Sequence, residues 1–258
     1  MFKFFDYFAL PARHYQVKRL VAVIICVAIN LASGPAIARK PDNVTEAEMA
    51  TIPRYCPYAQ SWNYNINGPE TKRWVSVLGE TFHAIHHYCW AQINLQRSFR
   101  IGTSEQERRG LLGLVRNDYF YVIDNAKPGF VLLPEVWSRL GEVEVRLSKI
   151  KEANQSFANA RKIKPDYWPA YSHWVEYLIR TGNKAEAKSL VKTGLEYSPD
   201  SRVLREQFRL LGGDPSTIKP IKKQEIKDEP AAKPSLTDDN SNSPSNSSVE
   251  EKKEESKE

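Results

Sequence analysis

The residues best suited to chemistry lie in one short run, His83-Ala84-Ile85-His86-His87-Tyr88-Cys89-Trp90. His83 and His87 are one helical turn apart and can grip a metal ion together. With Cys89 and the upstream Cys56 they make a zinc-type set of two imidazoles and two thiolates. The pattern also argues against that set. Cys89 lies at an angle to both histidines on a helix, and no second Cys-x-x-Cys or His-x-His occurs. Covalent haem attachment needs Cys-x-x-Cys-His, which is absent. A nucleophile elbow, a phosphate-cradling glycine loop and a paired-carboxylate motif are absent too. The expectation is therefore a protein that is not an enzyme and has no cofactor. A small metal- or haem-handling envelope protein built on His83, His87, Cys89 and Cys56 is the second reading.

These residues need elements to position them. Trp74, Leu78, Phe82, Ile85, Cys89 and Ile93 step by three or four, which predicts one buried helical stripe over about 70–98. Cys89 faces inward on that stripe. Residues 39–68, rich in Pro, Asn and aromatics, read as an irregular arm laid over the fold, with its Tyr and Trp rings as contacts. A further helix is expected over about 104–124, with Ser104 and Glu107 as its capping box. The two helices form a hairpin within 69–126, for which a degenerate copy of the repeat that follows is the second reading.

The next stretch is written twice. At an offset of 34 residues, Trp137 falls on Tyr171, Leu140 on Trp174, Ala153 on Ala187, Phe157 on Val191 and Pro165 on Pro199. Each copy holds two short helical patterns, roughly 135–147 with 151–163 and 168–180 with 184–197. Small residues at Ala153, Ala160, Ala187 and Gly194 let paired helices approach closely, and Pro165 and Pro199 end each second helix. Arg202 to Leu211 reads as a capping helix.

With Trp137, Leu140, Gly141, Ala153, Phe157, Ala160 and Pro165, copy one resembles the tetratricopeptide repeat. Copy two departs from that pattern at Val175, Val191 and Gly194. The resemblance implies an all-α fold of helical hairpins stacked as a short right-handed solenoid, with repeats at 134–167 and 168–201 and a cap at 202–213. It also implies a binding module. In such repeats the first helix of each pair lines a concave groove, where Ser138, Glu142 and Arg146 recur as Ser172, Glu176 and Arg180. Those six residues are the expected partner-binding set, and the Glu-to-Arg spacing of four also suits intrahelical ion pairs.

Residues 1–38 read as an export signal: Lys3, Arg13, Lys18 and Arg19 precede an apolar run, then Gly34-Pro35 and the small-x-small Ala36-Ile37-Ala38. An uncleaved inner-membrane anchor facing the periplasm is the alternative. Export removes Cys26 and leaves Cys56 and Cys89 as an even pair, which predicts a disulfide. Residues 217–258 are polar and charged, which predicts a disordered tail. The net charge of +6 carries no basic cluster of the kind that binds nucleic acid. The functional expectation is an exported, periplasmic adaptor whose partner is another protein or peptide of the cell envelope. It would touch membrane only through an uncleaved N-terminal segment.

Overall fold

The computed structural model describes residues 43–60, 62 and 65–221. The expected export segment and nearly all of the expected tail lie outside them. The described residues hold nine α-helices and no strand: α1 Glu46–Thr51, α2 Pro69–Leu78, α3 Ile85–Ser98, α4 Glu105–Asp124, α5 Leu133–Arg146, α6 Ile150–Ile163, α7 Pro169–Arg180, α8 Lys184–Tyr197 and α9 Arg202–Leu210. Short 3-10 turns occupy Cys56–Tyr58, Glu80–Ala84 and Pro215–Thr217. None of the described helices is long and apolar enough to cross a membrane.

Helices α3 with α4, α5 with α6, and α7 with α8 pack as pairs. Helix α5 also packs on α4 and α7, and α9 covers α7 and α8. The 34-residue repetition holds at the level of single hydrogen bonds. At the end of α5, Lys149 N donates to Glu144 O (2.8 Å) and Ser148 N to Val145 O (3.0 Å). At the end of α7, Asn183 N donates to Leu178 O (2.8 Å) and Gly182 N to Ile179 O (3.1 Å). Ser148 and Gly182 both adopt positive φ, 62° and 84°. The turn therefore requires a left-handed residue, which glycine supplies without steric cost and serine does not. The second helices end alike: Lys164 N donates to Ala160 O, and Ser198 N to Gly194 O. Pro165 and Pro199 follow directly and prevent continuation.

The core follows from the repeat. Trp137, Leu140, Phe157, Tyr171 and Trp174 are buried, as are Ala153, Ala160, Ala187 and Gly194. A Cβ added to Gly141 would meet the Phe157 ring at 2.9 Å, and one added to Gly194 would meet Leu204 and Tyr171 at the same distance. These small residues are the places where helices touch. Position 144 breaks the apolar pattern with a fully buried glutamate. Glu144 Oε1 accepts from Arg116 Nε of α4 (3.0 Å) and Oε2 from Ser156 Oγ of α6 (2.6 Å). Burial pushes this carboxyl up while those two partners pull it back.

Two expectations need correction. The stripe over 70–98 is not one helix, because Gly79, at φ 69°, ends α2 and a 3-10 turn precedes α3. The arm is not wholly irregular, since Thr45 and Glu48 form a reciprocal capping box that starts α1. The Ser104 cap of α4 is simpler than expected, with Ser104 Oγ accepting from Glu107 N.

The arm is fixed to α3 at both ends. Cys56 and Cys89 are joined by a disulfide with Cα atoms 5.7 Å apart. Tyr55 packs edge-on to Trp74 at 5.6 Å, and Trp62 lies 5.2 Å from Trp90. Further back, the buried Glu48 carboxylate is gripped by Arg97 (2.7 Å) and by Arg100. The Arg97 hydrogen bond, with those from Thr45, holds its carboxyl at about 2 against 4.5 for a free group. The folded value lies below the unfolded one. Glu48 therefore stabilises the fold above pH 4.5, and this contribution is lost as pH falls towards 2. Its size is about 3 kcal/mol at most. Urea unfolding at neutral pH and at about pH 3 should show this loss in the native chain and a flatter dependence in Glu48→Gln. An unchanged pH dependence in the variant would refute the assignment.

Candidate functional site

The six expected groove residues separate into two groups. Ser138 and Ser172 are buried, 1% and 2% exposed. Ser172 Oγ accepts from Gln207 Nε2 of α9 (3.0 Å), and its carbonyl accepts from the same nitrogen (3.2 Å). Both serines thus lie in the seams of α5 and α7, and Ser138 Oγ has no hydrogen-bond partner among the described residues. A small polar residue fits such a seam as well as it fits a groove wall, so spacing alone does not separate the two.

The charged residues do reach the surface. Glu142 lies 3.9 Å from Arg146 and 3.4 Å from Nε2 of His173, which joins α5 to α7. Arg146 Nη1 also donates to the Glu142 carbonyl (3.0 Å), and its guanidinium stands 5.3 Å from the Phe99 ring centre. In the second copy the corresponding ion pair does not form. Arg180 instead stands 5.8 Å from the Tyr177 ring centre.

Glu176 and Arg180 line an open depression of about 590 Å3 between α7 and α9. Its walls include Ile179 of α7 and Arg202, Val203 and Leu210 of α9. Val203 and Leu210 are exposed, Leu210 to 75%. Gln207 also lines it, and among the described residues the buried Gln207 Oε1 has no hydrogen-bond partner. The floor is thus apolar with one unsatisfied acceptor, and the rim carries both signs of charge. Sequence reasoning missed the contribution of α9. The signal was present in Val203 and Leu210, which lie one and two positions from the buried Leu204 and Phe208 and so on another face of the helix.

The histidine run is arranged otherwise than as a ligand set. The disulfide removes both thiolates of Cys56 and Cys89, so the set of His83, His87, Cys89 and Cys56 does not exist in this fold. Among the described residues no group of three or more His, Cys, Asp and Glu is placed to hold a metal. His83 Nε2 is 3.3 Å from Glu80. His87 Nδ1 is 2.6 Å from Asp118 Oδ1, and its ring lies 3.7 Å from that of Tyr121. His86 is buried, and burial with the neighbouring His87 pushes it down to about 4, so it is neutral at physiological pH. Burial pushes the Asp118 carboxyl up, opposed by the His87 hydrogen bond.

A polar network between α3, α4 and α5 carries no sequence motif. Tyr88 Oη donates to Glu135 Oε1 (2.6 Å), which also accepts from Arg139 Nε (2.7 Å). Gln92 Nε2 donates to Tyr119 Oη (2.9 Å). Burial pushes both phenols up, so they stay protonated, Tyr88 as a donor to Glu135 and Tyr119 as the acceptor from Gln92. Each of these side chains has a partner within the group, which makes it a packing device.

No family model, no curated protein and no solved structure matches this chain.

Proposed function

We propose that this chain is an exported helical-repeat adaptor of the cell envelope, with tetratricopeptide-like hairpins forming a short right-handed solenoid. Its function is to bind a protein or peptide partner and not to catalyse a reaction. The observation that carries the reading is the depression between α7 and α9. It combines exposed apolar side chains, an unsatisfied buried acceptor and charges of both signs, of which Glu176, Arg180 and Arg202 form no ion pair among the described residues. Such a surface suits a segment that inserts an apolar side chain and lays its backbone along the rim. The repeated hydrogen bonds at residues 144–149 and 178–183 support the repeat reading. The disulfide supports passage through an oxidising compartment.

The test uses the double variant Arg180→Ala with Arg202→Ala, which removes two cations of this depression. Both side chains are exposed, so the fold should lose under about 0.5 kcal/mol for each. Partner binding should weaken by about 1–3 kcal/mol. The partner is identified by photo-crosslinking from positions 203 and 210, with position 77 on α2 as the control. Full binding by the double variant, or equal crosslinking from position 77, would remove the groove from consideration.

A further inference from the structure

A second concavity, of about 220 Å3, lies between α6 and α8 and stands independently of the adaptor reading. Its lining includes Arg161 of α6, Trp174 of α7, and Ser189, Leu190 and Thr193 of α8, with the exposed Glu186 beside them. Arg161 is the unusual member. It is partly buried, yet only one of its contacts is a hydrogen bond, from Nη1 to the Ala170 carbonyl (3.0 Å). Its guanidinium lies 5.4 Å from the Tyr171 ring centre. Among the described residues it forms no ion pair. A guanidinium offers five N–H donors in a planar fork, so most of this one's capacity is unused.

The setting disfavours an uncompensated charge, and burial lowers this guanidinium from its usual value. An incoming anion would supply both the missing charge and the missing acceptors. The fork matches a carboxylate with two parallel hydrogen bonds. The exposed hydroxyl of Ser189 adds a short donor at the same concavity, where Thr193 Oγ1 already donates to the Ser189 carbonyl (3.3 Å), and Trp174 with Leu190 forms an apolar wall. Glu186 sets a limit on charge. Its carboxylate stands against any further negative charge at the concavity, and the opposing repulsion grows with the charge of the ligand, so a monoanion is favoured over a dianion. The volume sets a limit on size, below the roughly 300–1,000 Å3 of pockets for drug-sized ligands.

We propose that this concavity binds a small monocarboxylic acid, its carboxylate on Arg161 and its apolar body against Trp174 and Leu190. The probe is benzoate added to the full chain, followed by calorimetry and by the indole NMR signal of Trp174. Benzamide, of the same shape but neutral, and inorganic phosphate are the comparisons. Saturable benzoate binding that moves the Trp174 signal is expected, with neither comparison compound matching it. Arg161→Gln should weaken benzoate binding at least about tenfold. Ser189→Tyr, at an exposed site on α8, should block entry while leaving Arg161 in place. Near-UV circular dichroism confirms that each variant is folded. Absence of benzoate binding, equal binding of benzamide or phosphate, or full benzoate affinity in folded Ser189→Tyr would each overturn the proposal.

Discussion

Phe157→Ala is expected to lower the free energy of unfolding by about 3–5 kcal/mol, read from urea denaturation. The ring is fully buried and fills the space that Gly141 leaves open, with Trp174 5.8 Å away on the next hairpin. Truncation would open a cavity facing a residue that has no side chain to relax into it. The partner change, Gly141→Val, should also destabilise, by about 1–3 kcal/mol, because its Cβ alone meets the ring at 2.9 Å. The second repeat indicates how the two changes offset each other. At the same two positions it carries Val175 and Val191, both fully buried, in place of a glycine and a phenylalanine. The double variant Gly141→Val with Phe157→Val should therefore cost less than the sum of its single changes, by at least about 1 kcal/mol. Strict additivity would mean that the two copies are not packed in the same register.

Loss of the Cys56–Cys89 bond is the second large effect. It closes a loop with a sequence separation of 33. The chain-entropy model gives about 3–4 kcal/mol for a loop of that length. Cys56→Ala with Cys89→Ala should lower stability by that amount. Reductant should reproduce the loss in the native chain and leave the double variant unchanged. Limited proteolysis should then cut first within the arm, since the Glu48 clamp and aromatic contacts would hold it alone. If alkylation of the native, unreduced protein finds two free thiols, the bond is not present in solution.

The sequence and the fold agree where side-chain spacing and backbone geometry carry the same information. Residues 134–211 are such a region: small residues mark helix contacts, prolines mark helix ends, and both recur at 34. They part at Gly79. The apolar stripe runs through it from Leu78 to Phe82, because periodicity reports which side chains are buried and not whether the backbone between them is one helix. They part again at α1, where Pro and aromatic neighbours masked a capping box already spelled by Thr45 and Glu48.

The candidate site was half legible. Glu176 and Arg180 were identifiable from the repeat offset, but the surface they line needs α9, a helix outside the repeat. The inward position of Ser138 and Ser172 was not legible, since a serine one turn from charged residues reads equally as wall or seam. The Glu142–His173 link joins residues 31 positions apart in different copies, and no local pattern announces it. The cysteines were legible for another reason: one lies on a buried stripe and the other on a segment able to reach it.

The attachment of the arm to α3 also determines how the fold meets mechanical force. Tension applied from the residue-43 side first reaches the clamp of Glu48 on Arg97 and Arg100, which is non-covalent and yields. It next reaches Cys56, and there the stiffest route leads across the sulfur bridge into the middle of α3 at Cys89. The residues between them, including all of α2, hang as a slack side loop that carries none of the pull. Stretching the oxidised chain should therefore release less length than the count of residues predicts. The missing extension, recovered on reduction, is that of the loop from 57 to 88.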